Sequence, residues 1–200
     1  MAPTDAPPDL AAWLRRSADT MEQQPVRGDT TESFERYVLR QGRPFLSAKL
    51  TEAERRVVKA AIDFYRVRRD RFRAQECYMN SQEVLFDEES QKLVYVEGFA
   101  WTHALIPTLH GWLAINDKVI DVTLPPTTRR EASRREPRQV LGEFEGRSYF
   151  GVPFDKTYIA ERKLATRGFG SLLDDIAHGY PLLRQLPSGA RRGTSTSKRR

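Results

Sequence analysis

The chain has a single cysteine, Cys77, in 200 residues, so no internal disulfide can form and cysteine usage gives no sign of an oxidising compartment. It also lacks any apolar run approaching the roughly 20 residues that a membrane-spanning helix needs. The opening MAPTDAPPDL contains no apolar stretch of signal-peptide length. The expectation is a cytoplasmic protein with no membrane partner, although export without a cleaved signal would leave no trace of this kind. Histidine is equally scarce. His103, His110 and His178 are scattered, and with one cysteine they do not supply the three or four spaced ligands of a zinc site. No metal and no cofactor is expected.

What is present suffices for one hydrophobic core. A chain of this length buries roughly 70% of the surface its unfolded form exposes, and 39% hydrophobic with 10% aromatic residues is a globular composition. Residues 9–186 read as a single domain: a helical part over 9–73, a core over 75–154 and C-terminal helices over 155–186. Residues 1–8 and 187–200 lack the bulk to pack and are expected to be disordered. The net charge of +6 is concentrated in a few places. The tail RRGTSTSKRR is strongly basic; Arg66, Arg68, Arg69, Arg71 and Arg73 stand against Asp70 alone; residues 129–138 set five arginines against Glu131 and Glu136. Such local basicity suits docking to a nucleic acid, a phosphate or an acidic protein. It equally describes solvated arginines.

Helical signals dominate the first third. Asp9 caps a pattern carrying Leu10, Trp13, Leu14 and Met21 at helical spacing. A short helix follows Thr31, with Phe34, Tyr37 and Val38 on one side, and ends near Gly42-Arg43-Pro44. Thr51 opens a capping box, TEAE, ahead of an apolar stripe of Val57, Val58, Ala61, Ile62 and Tyr65. A break before Cys77 is expected, because one helix from 51 to 88 would far exceed the usual length of about 11–12 residues. KLVYVEGFAWT then reads as a strand, HGWLAI and KVIDVTL as a hairpin around Asn116-Asp117, residues 125–137 as a polar basic loop, and GRSYFGVPF as another strand. Two helices are expected near 155–164 and 170–178. The fold class is therefore α+β.

The hairpin can be counted outward from its turn. If the loop holds Asn116 and Asp117 only, Ile115 faces Lys118, Ala114 faces Val119, Trp112 faces Asp121 and His110 faces Thr123. One face then carries His110, Trp112, Ala114, Val119, Asp121 and Thr123, and the other Leu113, Ile115, Ile120, Val122 and Leu124. His110 and Asp121 become diagonal neighbours about 7–8 Å apart at the backbone, within reach of a side-chain hydrogen bond. A loop with an odd count would send them to opposite faces unless a bulge restored the register.

A histidine held by an aspartate has one ring nitrogen fixed and the other free to exchange a proton with a nucleophile. Cys77 is the obvious nucleophile, since a helix start and a nearby imidazolium both favour the thiolate. Its own backbone N–H, with Gln75 as a candidate side-chain donor, would hold an oxyanion. The bland alternative is an inert buried cysteine. Glu97, unusual in an apolar strand, either faces the cleft, binding substrate or competing with Asp121 for His110, or points outward from an edge strand. Asn80 and Ser81 either line the cleft or pack, Trp112 is a lid or core residue beside the imidazole, and His103 and His178 have no evident partner.

A cysteine opening a helix, a strand with His, a small residue and Trp, and an Asp on the next strand resemble the catalytic core of transglutaminase-like proteins in the papain-like superfamily. The order Cys, His, Asp is matched by Cys77, by HGWL at 110–113 and by VID at 119–121, with Gly111 where Ala is more usual. The phrases CYMNSQ, YVEGFA, HGWLAIND, KVIDVT and YFGVPF also resemble a group of uncharacterised bacterial and phage proteins. The resemblance covers roughly residues 75–154. It implies N-terminal helices with a Cys-bearing helix on a small antiparallel sheet, and a cysteine hydrolase or acyltransferase (peptidase, amidase, deamidase or transglutaminase) acting on a peptide or amide through the triad Cys77, His110, Asp121. The alternative function is a non-catalytic module that grips nucleic acid or an acidic protein through its arginine clusters.

Overall fold

The computed structural model describes residues 9–22, 32–69, 76–86, 90–101, 106–123 and 147–184, the side chains of 66–69 excepted. Its first helix, α1 (Leu10–Glu22), starts where the Asp9 carboxylate accepts the Ala12 N–H at 2.9 Å, and buries Leu10, Leu14 and Ala18 along one stripe. Helix α2 (Phe34–Gln41) is capped by Ser33, whose hydroxyl accepts the Arg36 N–H at 3.2 Å. The capping box at α3 (Glu52–Arg69) is reciprocal: Thr51 N–H donates to Glu54 Oε2 at 2.7 Å, and Glu54 N–H donates to Thr51 Oγ1 at 3.3 Å. Glu76, at φ −104° and ψ 49°, lies outside helical geometry, so α4 (Cys77–Leu85) is a separate helix that begins at the cysteine.

Strands β1 (Arg43–Phe45), β2 (Val94–Trp101), β3 (Thr108–Ile115), β4 (Lys118–Ile120) and β5 (Ser148–Phe154) form one sheet in the order β1-β5-β2-β3-β4, every neighbouring pair antiparallel. The hairpin has the counted register: Ile115 faces Lys118, Ala114 faces Val119 and Leu113 faces Ile120. Asn116 and Asp117 have φ of 48° and 60°, the left-handed pair of a type I′ turn whose twist matches the strands it joins. The sheet curls until its two edges meet. Leu46, just past β1, donates its N–H to Asp117 O at 2.8 Å and accepts the Val119 N–H at 2.9 Å.

Curling gives the sheet an inside and an outside. The inside holds a small core of Phe45, Val96, Ala100, Trp112, Ala114, Val119 and Tyr149. Trp112 fits there because Gly151 has no side chain: a Cβ at that position would stand 2.6 Å from the indole Cη2. The outside is the larger apolar face, where Tyr95, Leu113, Ile120 and Phe154 pack against the helices through Leu14, Val38, Val58 and Leu85. The fold is thus α+β, with the cysteine-bearing helix seated on a small antiparallel sheet.

Helix α2 ends at Gln41 with Gly42 as its C-cap, where the sequence placed the end, and the chain goes on into β1; proline is compatible because β1 lies at a sheet edge. One local expectation differs from the structure. Of the C-terminal helices, α5 (Lys156–Thr166) forms behind its Asp155 cap, but 170–178 yields only a 3₁₀ turn at Ile176–His178. The Leu172 and Leu173 N–H groups there bond the Glu97 carboxylate. The 125–137 loop, residues 1–8 and the basic tail over 187–200 lie outside the described residues. So do Arg71 and Arg73, while Arg66, Arg68 and Arg69 are placed by backbone alone in α3. Among the described residues no helix is long and apolar enough to cross a membrane.

Candidate active site

Helix α4 is fixed to the sheet by polar contacts on several sides. Ser81 Oγ donates to Gly111 O at 3.2 Å, Asn80 Nδ2 donates to Thr123 Oγ1 at 3.0 Å, and Gln82 Nε2 donates to Gly170 O at 2.7 Å. Close approach needs Gly111, because a Cβ there would lie 2.8 Å from Tyr78 Cδ1 and 2.9 Å from the Tyr95 hydroxyl oxygen. Cys77 therefore sits at a helix start pressed against β3, largely buried at 8% exposure.

His110 enters from the inner face of the sheet, and the Cys77 side chain is one of the groups that favour its charged form. Its Nε2 lies 2.8 Å from Asp121 Oδ2. With Nε2 engaged, Nδ1 is the ring nitrogen left to serve Cys77. Asp121 Oδ1 accepts the Thr123 N–H at 3.0 Å, and Oδ2 also accepts the Tyr149 hydroxyl at 3.1 Å. Arg147 hydrogen-bonds Tyr149 in turn. The Trp112 ring stacks on His110 with centroids 6.2 Å apart and planes at 19°, and meets Tyr149 edge-on at 5.2 Å.

Burial works against a charge on His110, but the Asp121 charge and hydrogen bond, helped by Cys77, outweigh it and push the ring up to about 10. The imidazole is therefore protonated at neutral pH, donating to Asp121 through Nε2. Burial, reinforced by the Asp121 charge, drives the Tyr149 phenol well above its usual value, so it stays an O–H donor. Glu76 makes no side-chain capping bond at α4. The Cys77 N–H is one of the first-turn donors that have no partner within the helix. Imidazolium and carboxylate thus form a buried pair that also feels Cys77, whose helix start offers a backbone donor.

His110 and Asp121 are brought together, and the Cys77 side chain acts on the same ring. The other candidates fall elsewhere. Trp112 is fully buried inside the sheet and backs the imidazole. Asn80, also fully buried, accepts the Tyr65 hydroxyl at 3.4 Å and ties α4 to Thr123. Glu97 faces Gly111 across β2 and β3, whereas His110 faces Gly98, so the two side chains lie on opposite sides of the sheet. The idea that Glu97 competes with Asp121 for His110 is corrected accordingly. Its carboxylate accepts Tyr95 O–H at 2.9 Å, Leu172 N–H at 2.8 Å, Leu173 N–H at 2.9 Å and the Ser171 hydroxyl, and burial still raises its pKa.

His178 does have a partner, Asp175, at 2.6 Å. Gln75 and His103 lie outside the described residues. Sequence reasoning missed Tyr149, which reaches Asp121, and Arg147, which acts on Tyr149; only the alternation of SYFGVPF hinted that Tyr149 shares a face with Gly151. Among the described residues no cluster of His, Cys, Asp and Glu could hold a metal ion. No protein-family model matches the chain, and neither a curated protein nor a solved structure does, so function has to be argued from the geometry around Cys77.

Proposed function

We propose that this chain is a cysteine-dependent acyl-transfer enzyme built on a papain-like or transglutaminase-like core. The observation that supports this reading is the buried His110–Asp121 pair, whose protonated ring also feels the Cys77 side chain. An imidazolium beside a sulfur favours the thiolate, the nucleophilic form. The Cys77 sulfur attacks the carbonyl carbon of a peptide or amide, and the C=O π electrons move onto oxygen, where the Cys77 N–H and, as a further proposed donor, Gln75 hold the negative charge. Collapse breaks the C–N bond, and His110 passes its Nδ1 proton to the departing amine, leaving a thioester and a neutral ring. Water or a second amine then gives a proton to His110 and attacks the thioester. Acid or amide is released with the thiolate, and the imidazolium is restored. Asp121 keeps its charge throughout and holds the ring in the orientation the transfer needs.

Reaction with iodoacetamide tests the first requirement of this chemistry. In the native chain the alkylation rate of Cys77 is expected to depend on the His110 imidazolium. His110→Ala should slow alkylation near pH ~6 by roughly tenfold or more, because the thiolate loses its counter-charge. A Cys77 that reacts as an ordinary thiol, with a pH profile unaltered by His110→Ala, overturns the proposal.

A further inference from the structure

We propose that Tyr149 is a positioning residue of this site, which, backed by Arg147, shares the Asp121 carboxylate with His110 and so limits how tightly the imidazolium is held. The inference rests on the reading of His110 as the proton carrier. Tyr149 O–H and His110 Nε2–H both donate to the same oxygen, Asp121 Oδ2, at 3.1 and 2.8 Å. Arginine has donors only, so in the Arg147–Tyr149 bond the phenol oxygen accepts, and its proton is committed toward Asp121. All four residues are at most 5% exposed, so water does not compete for these bonds.

Two donors on one carboxylate oxygen divide its charge, and a buried cation behind one of them draws it further from the imidazolium. The consequence is catalytic. A histidine held by Asp121 alone would be too weak an acid to protonate a departing amine, and sharing the oxygen returns it toward the working range. The titratable or charged groups facing the ring are Cys77 from α4, Asp121 beyond β4, and Tyr149 with Arg147 at the start of β5. Strand β2 presents Gly98 and strand β3 presents Trp112, neither of which titrates.

The test is NMR of the His110 ring in the full chain, assigned with His110→Gln. Tyr149→Phe keeps the ring that packs on Trp112 and removes only the hydroxyl. It is expected to raise the His110 midpoint by about half a unit, roughly threefold in proton affinity, and Arg147→Met should move it the same way. A second readout needs no alkaline titration: at neutral pH the Nε2 proton resonance should move downfield in Tyr149→Phe as its bond to Asp121 strengthens. A folded Tyr149→Phe with an unmoved or lowered midpoint and an unshifted proton overturns the inference. Neither readout depends on catalysis, so an unreactive Cys77 with a shifted midpoint would defeat the enzyme reading alone, and a reactive Cys77 with an unmoved midpoint would defeat this one alone.

Discussion

Burial by itself would strip His110 of its proton, and Asp121 at 2.8 Å reverses that outcome. The pair makes stability depend on pH with a definite sign. The folded value is raised to about 10 from 6.5, so the contribution of the pair is complete below 6.5 and is lost as pH rises through 10. Glu54 runs the other way. Hydrogen bonds from Lys118, Asn116 and Thr51 hold it at about 2, so its contribution is present above 4.5 and is lost as pH falls through 2. His110 and Glu54 therefore give the urea midpoint an alkaline limb above about 6.5 and an acid limb below about 4.5. Asp121→Asn should remove most of the alkaline fall. An alkaline limb unchanged in that variant would show that the His110–Asp121 pair is not its source.

Helix α4 and strand β3 meet where neither can retreat without moving the site. Gly111 carries the contact, and Tyr78 follows Cys77 directly in the chain. Gly111→Ala would force a methyl group against Tyr78 and Tyr95, with an expected cost of about 1–3 kcal/mol. The same displacement separates sulfur from ring, so alkylation of Cys77 should slow in the folded variant. Thermal unfolding and iodoacetamide kinetics on one preparation check both effects; native kinetics at lowered stability would mean that the helix start tolerates the shift. Glu97 acts at this scale as well. Three of its donors, from Ser171, Leu172 and Leu173, pin that segment to β2, and Gln82 of α4 reaches the same stretch through Gly170 O. A carboxylate that looked like a cleft residue is an anchor for the C-terminal segment beside the cysteine-bearing helix.

At the scale of the whole molecule, the decisive feature is the meeting of sheet edges at Leu46. It encloses Trp112 and sets His110 and Asp121 on the inner face while α4 packs outside. Leu46→Pro removes the N–H that bonds Asp117 O, and since the Leu46 side chain is 58% exposed, little packing is lost with it. The expected cost is about 1 kcal/mol, the worth of one such bond, with faster hydrogen exchange at the Val119 amide. Unaltered exchange there would mean that the edges are held by something else.

Much of this architecture was legible locally. Asp9 and the Thr51–Glu54 box marked helix starts, and the Asn116-Asp117 turn set a register from which the shared face of His110 and Asp121 followed by counting. The amino-acid sequence by itself determined that pairing, because a two-residue turn and a period of two leave no freedom. Only the tertiary structure decided that β5 lies beside β2, that Tyr149 and Arg147 stand behind Asp121, and that Glu97 faces away from the ring. Those outcomes depend on which distant strands pair and how far the sheet curls, and no short-range pattern encodes either.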